Sequence, residues 1–249
     1  MITVRNLQKF YGPVRGIDDI SCTCSPGMHI LIGLSGSGKT TFLRLLAGLE
    51  TPTGGSIEWN GLCLSSDNRI HVPPPDRQIM MVAQEPSLWP NMTSLGNVVT
   101  VLRGRGLSRT DAKEQAAYFL DLAGAIHLAA RYPHELSGGQ ARSVEIARAL
   151  AVESPVLLLD EPFSGIDISA SLSMAKRLER IMFERGMTIL MSTHSPALLQ
   201  ECDSRVLLFE NGRIAADGSV SAIQTTLHSS FIRAMGGQPD TTPGVNGEW

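Results

Sequence analysis

The sequence predicts an α/β fold: a mostly parallel sheet, an N-terminal antiparallel β subdomain, and an inserted α-helical subdomain. Three observations carry that prediction. A nearly continuous apolar run, residues 28–32 (MHILI), passes straight through a glycine-rich loop into a helical pattern, which reads as strand, loop, helix. Two further apolar runs, 156–159 (VLLL) and 188–192 (TILMS), each follow helical sequence, as buried parallel strands do. Pro73, Pro74 and Pro75 divide a β-rich part from a segment richer in Ala, Leu and Glu.

Taken in order, Ile2, Val4, Leu7, Ile17, Ile20, Cys22 and Cys24 alternate with polar residues, which suits half-exposed antiparallel strands ending at Pro26-Gly27. The strand at 28–32 and the helix at 39–47 follow. Residues 57–59 before Asn60-Gly61, and 206–210 before Asn211-Gly212, read as hairpins. Over 108–123, Ala112, Ala116, Phe119, Leu120 and Ala123 share one helical face, and Gly124 marks the stop. The helical subdomain is placed at about 86–133, or to about 150 with a further helix at 140–151. Residues 1–235 form one folding unit. The polar stretch 236–249 (GGQPDTTPGVNGEW), rich in Gly and Pro, is expected to be disordered.

Composition narrows the functional classes. A chain of 249 residues with 43% hydrophobic content suits one large domain with a minor subdomain. Its apolar runs fall far below the roughly 18 to 20 residues of a membrane-spanning helix. The start, MITVRNLQKF, lacks the layout of a secretion signal, so a cytosolic protein is expected. Cys22, Cys24, Cys63 and Cys202 lack the spacing of a zinc site and read as reduced thiols. A net charge of −3 and a pI near 6.1 provide no basic field, so no nucleic-acid partner is expected. The one short basic stretch, RGRG at 103–106, reads as a polar loop.

Chemistry concentrates in three places. In GLSGSGKTT, residues 33–41, the glycines Gly33, Gly36 and Gly38 let the backbone curl so that N–H groups, with Ser35, Ser37 and Thr41 among them, face phosphate oxygens at a helix start. Lys39 should neutralise the β- and γ-phosphates and the Thr40 hydroxyl should take a Mg²⁺ position. Asp160 ends an apolar strand, where a carboxylate is costly unless it meets a cation, and Mg²⁺ is the natural partner. Glu161, next along, is placed to polarise the water that attacks the γ-phosphate. Gln84, where an apolar strand gives way to a Pro-punctuated loop, can touch Mg²⁺ or that water, and His194, just past a strand, can orient Glu161. Tyr11 precedes the glycine loop and offers a face for adenine or, equally, an edge-strand packing role.

Between the glycine loop and Asp160 lies LSGGQ, residues 136–140. With it, residues 2–218 resemble the nucleotide-hydrolysing subunit of an ATP-binding cassette (ABC) transporter. The resemblance implies that Ser137, Gly138, Gly139 and Gln140 cap the γ-phosphate held by the opposite subunit of a head-to-tail dimer. Asp167, in SGID, then lines that interface. It also implies a second ATPase subunit, identical or paralogous, a multi-span membrane permease docking near 84–101, and a separate substrate-binding protein. The place implied is the cytoplasmic face of the inner membrane, as a peripheral subunit. Residues 73–98 and the lead-in YPHELSGGQ are similar to importers for oxyanions, polyamines, thiamine or sugars, with an exporter ATPase as the alternative. Chromosome-class cassettes fit poorly, because only about a hundred residues separate the glycine loop from LSGGQ, without sustained heptads. Translation-linked proteins usually carry two cassettes and a basic linker. The sequence departs from the family pattern at Arg142, Ser143, Glu145, Gly165, Ile166 and Ser195.

Overall fold

In the computed structural model, which describes residues 1–85, 87–196, 198–199 and 204–226, two sheets share the helix that follows the glycine loop. The chain opens with β1 (Ile2–Tyr11), β2 (Val14–Cys24), β3 (Gly27–Ile32) and α1 (Lys39–Ala47). It continues through β4 (Gly54–Trp59), β5 (Leu62–Ser66), β6 (Arg69–Ile70) and β7 (Ile79–Val82). Helices α2 (Ser94–Gly104), α3 (Arg109–Leu122) and α4 (Gly138–Leu150) then lead to β8 (Val156–Leu159), α5 (Ile168–Arg185) and β9 (Thr188–Thr193). The described part ends after the β10 (Arg205–Glu210) and β11 (Arg213–Ser219) hairpin. One sheet has five antiparallel strands in the order β2-β1-β4-β5-β6. The other has six, β11-β10-β3-β9-β8-β7, all parallel except the β10–β11 pair.

The apolar central strands follow from burial on both faces. Alternation sends Met28, Ile30 and Ile32 of β3, with Leu157 and Leu159 of β8, into one core beneath the helical subdomain. Leu31, Val156 and Leu158 point the opposite way, into a second core with Phe42, Leu43, Leu45 and Leu46 of α1 and the inner face of the antiparallel sheet. Ala112, Ala116, Phe119, Leu120 and Ala123 are all buried, as their spacing predicts. Both expected Asn-Gly hairpins form, with φ of 50° and 82° at Asn60 and Gly61 and 50° and 78° at Asn211 and Gly212. The helix expected at 140–151 begins two residues earlier. Ser137 is its N-cap, and Gly138 and Gly139 form its first two residues. The strand before His194 runs through Thr193, which pairs with Ile32. Cys22, Cys24 and Cys63 are free thiols, whereas Cys202 and the 236–249 stretch lie outside the described residues.

Arg77 joins the antiparallel sheet to the end of α1. It is fully buried, with Nη1 donating to Leu45 O (3.0 Å) and Leu46 O (2.8 Å), carbonyls in the last turn of α1. Nε donates to Val72 O (2.8 Å), and Nη2 to Leu64 O (3.2 Å) and the Ser65 hydroxyl on β5. Burial pushes its pKa down to about 10. Gly48, at φ 75°, makes room, since a Cβ there would lie 2.4 Å from Arg77 Nε. Replacing Arg77 with Leu strips several buried carbonyls of a donor and is expected to cost about 3 kcal/mol or more. Lys should restore little, lacking the guanidinium fork. Urea unfolding midpoints check both.

His29 on β3 is 2% exposed, with Nε2 2.8 Å from Ser25 O, and burial pushes its pKa below the ordinary value. The unfolded chain therefore binds the proton more readily. This contribution is fully present above about pH 6.5 and is lost as pH falls through the lowered folded value. Stability should drop below that pH, and less steeply in His29→Leu, in urea titrations across pH.

Candidate active site

The glycine loop leaves β3 and enters α1 with φ of 158° at Gly33, 78° at Gly36 and 106° at Gly38. Two of these positions admit no side chain. A Cβ on Gly33 would lie 2.3 Å from Phe209 O, and one on Gly38 2.6 Å from Gly16 O. The loop is thereby pressed against β10 and β2, and the Ser37 carbonyl accepts from Gly212 N at 3.0 Å. Ser35 and Thr40 are exposed, Thr41 is half-buried, and Ser37 is buried. Lys39 is only 4% exposed and its Nζ donates to Gly33 O (2.8 Å), Leu34 O (2.9 Å) and Ser37 Oγ (3.4 Å). Burial lowers its pKa, while Glu161 and Asp160 pull it back up. The cation is held inside the loop.

Across from it, Asp160 lies at the end of β8 and is 2% exposed. Its Oδ1 accepts from Thr40 Oγ1 at 3.1 Å and from Ser192 Oγ at 2.7 Å. Ser192, on β9, also accepts the Glu161 N–H at 2.8 Å. One hydroxyl thus sets both acidic residues. Glu161 itself has φ of 43°, and its Oε2 lies 3.5 Å from Nδ1 of the largely exposed His194. Both border a cavity of about 190 Å³ with Ser164, Gly165 and Ser195. The Thr40 hydroxyl and the Asp160 carboxylate, in contact with one another, are hard oxygen donors of the kind Mg²⁺ takes, so the residues fit that ion.

The Gln84 side chain is exposed, while its carbonyl accepts from Arg142 on α4. Tyr11 is 45% exposed, its hydroxyl donates to the Glu50 carboxylate, and Lys9 Nζ lies 5.1 Å from the ring centroid. Burial, with Glu50 next, raises its pKa. One ring face already carries a cation.

Ser137 to Gln140 sit elsewhere. The Ser137 hydroxyl accepts from Gln140 N (3.4 Å) and Gln140 Oε1 from Ser137 N (3.0 Å), a capping box. The hydroxyl keeps its own proton to donate. Among the described residues no hydrogen bond joins this segment to residues 33–41. A cavity of about 280 Å³ borders Ser137, Gly139, Gln140, Phe163 and Ile166. Asp167 caps α5, its Oδ1 accepting from Ser169 N (2.9 Å) and Ala170 N (3.3 Å).

Fold and site together define a nucleoside-triphosphate hydrolase of cassette type, with a phosphate loop and a paired-carboxylate strand end. The model of the ABC transporter family matches residues 17–164. The iron(III) import ATP-binding protein FbpC of Rhizobium etli is 37% identical over 97% of this chain and 67% of its own length. The glucose import ATP-binding protein GlcV of Saccharolobus solfataricus is 34% identical over 87% of this chain and 62% of its own. The chain thus spans about two thirds of these relatives' length. A dimeric post-hydrolysis state of the ATP-binding cassette MJ0796, bound to ADP and phosphate, superposes with a TM-score of 0.78, at 25% identity, over 88% of this chain and 99% of its own. The chain belongs to the ABC transporter family. It is an ATP hydrolase that uses Mg²⁺.

Replacing Ser192 with Ala frees Asp160 of a donor and leaves the Glu161 N–H bare. Stability is expected to fall by about 1 to 3 kcal/mol. Activity, or the Mg²⁺ concentration it needs, should shift about 10- to 100-fold, as when a residue supporting a metal ligand is lost. Mg²⁺ titration of ATP hydrolysis reads this directly, and wild-type behaviour would remove Ser192 from the site.

Proposed function

We propose that this chain is the ATP-hydrolysing subunit of a membrane importer, working as a head-to-tail pair of cassettes around two nucleotides. One observation carries the reading. Lys39, Thr40, Asp160 and Glu161 gather in one place, while the Ser137 helix start, a second anion-binding end, has no hydrogen bond to the glycine loop among the described residues. An arrangement in which Ser137, Gly138, Gly139 and Gln140 serve the partner's nucleotide uses both ends, and Asp167, already fixed as a cap, lies beside that interface.

In this reading the N–H groups of residues 33–41 cradle the phosphates, Lys39 turns its ammonium from the loop carbonyls to the β- and γ-oxygens, and Tyr11 flanks adenine. Thr40, Asp160 and Gln84 would hold Mg²⁺, which would neutralise charge building on the phosphates. Glu161 takes a proton from the attacking water. The water oxygen bonds to the γ-phosphorus as the bond to the β–γ bridging oxygen breaks, and ADP carries away the electron pair. His194 holds the Glu161 carboxylate in line.

Docking to the permease is assigned to the loop after Gln84. Asn97, fully buried, orders it: Oδ1 accepts from Trp89 N (2.8 Å) and Nδ2 donates to Trp89 O (3.2 Å), Met92 O (3.3 Å) and Thr93 O (3.1 Å). Leu88 packs into the core, whereas Trp89 is 39% exposed and faces outward. Cargo choice belongs to the membrane and capture subunits, since relatives named for iron(III) and for glucose resemble this chain about equally well. The subunit sits on the cytoplasmic face of the inner membrane, and among the described residues no helix is long and apolar enough to cross it.

Glu161→Gln is expected to keep ATP binding and to lose about 10² to 10⁴ in turnover. With ATP the variant should form dimers on sizing. Wild-type hydrolysis would refute the assignment of the base, and a monomer at saturating ATP that the permease also fails to pair would refute the sandwich.

A further inference from the structure

Helix α4, which begins at Ser137, grips the loop that carries Gln84 through three residues spaced three apart. Arg142 Nη1 donates to Ala83 O at 2.6 Å, and Nη2 donates to Gln84 O. The same Nη1 lies 2.9 Å from Glu145 Oε2. Glu145 Oε1 accepts from both the N–H and, at 3.1 Å, the hydroxyl of Ser87. Arg148 donates to Ser87 O (2.9 Å) and Ser87 Oγ (2.8 Å), and its guanidinium lies 4.8 Å over the Trp89 ring. Arg142 is 6% exposed and Glu145 2%.

Two opposite charges buried together contribute little net stability, because desolvation offsets their attraction. Their direction is therefore more informative than their presence. Among the described residues, every further hydrogen-bond partner of this pair belongs to one segment, residues 83–87, which begins where β7 ends beside Asp160: the Asp160 N–H donates to Val82 O at 3.0 Å. Arg142 and Glu145 are also two of the positions at which the sequence departs from the family pattern.

We propose that Arg142 and Glu145 are positioning residues that fasten the Gln84 loop to the signature helix, so that Gln84 and the Ser137 end of α4 shift as one body. The helix is a stiff rod and Ser137 caps it, so a displacement of residues 84–89 is delivered to the Ser137 end without a hinge between them. The proposal rests on the roles given above to Gln84 and Ser137.

The test compares the full-length wild type with Arg142→Gln, Glu145→Ala and the double variant, in which neither charge is left alone. Hydrogen exchange over residues 84–89, ATP affinity, and kcat and KM for MgATP are measured in each. Expected are exchange about tenfold faster in that segment, ATP affinity within about twofold, and kcat lower by roughly 3- to 30-fold. The double variant should lose no more than the worse single one, because the pair acts as a unit. Unchanged loop exchange, unchanged kcat, or a loss confined to ATP affinity overturns the proposal. A double variant that fails to fold overturns it too, by assigning the pair to stability alone. Gln84→Ala separates the two levels. If it lowers kcat while Glu145→Ala does not, the fastening fails and the reading of Gln84 stands; if Gln84→Ala turns over like wild type, that reading fails and takes the proposal with it, whatever the exchange shows.

Discussion

A carboxylate at the end of a wholly apolar strand must find donors or a cation, and in this protein the answer to that demand organises the site. Asp160 emerges from four buried residues of β8 and meets two hydroxyls, Thr40 from the helix after the glycine loop and Ser192 from the neighbouring strand. Those contacts tie three separate stretches of chain to one oxygen. Because Ser192 also receives the Glu161 amide, the backbone turns there into a left-handed conformation unusual for a residue with a side chain. Lys39 sits inside the loop opposite, within electrostatic reach of both acids.

Much of this was legible because the chemistry is local. The glycine loop, the strand before it and the helix after it are contiguous, so spacing alone specifies them. Asp160 and Glu161 could be read because charge after an apolar run is costly wherever it occurs. Ser192 was not legible. A serine inside TILMST looks like any strand residue until the register sets β9 beside β8 and turns its hydroxyl toward Asp160. Arg77 was hidden for the same reason, since its partners come from residues 45, 46, 64, 65 and 72 and only the folded chain assembles them. Arg142 and Glu145 stood out in the sequence as departures, but the loop they hold lies about sixty residues earlier.

The two cores lie on opposite faces of the same strands. Alternation along β3, β8, β9 and β10 sends successive side chains to opposite faces, so the same strands build the core under α1 and the core under the helical subdomain. Arg77 binds the antiparallel sheet to the end of α1, and the α4 residues bind the loop after β7 to the helical side.

The strand order has a consequence for how the chain is made. β3, which presents the glycine loop, is flanked by β9 and β10, so its two neighbours are separated from it by more than 150 residues. During synthesis the loop leaves the ribosome with neither edge of its strand paired, and the Phe209 and Gly212 backbone that buttresses it follows well over a hundred residues later. The phosphate cradle is thus translated more than 150 residues before the strands that flank it, which leaves the nascent chain with an apolar, unpaired strand over that interval. A ribosome stalled before residue 205 would hold a polypeptide carrying the glycine-loop motif but lacking the strand and turn that give the loop its shape.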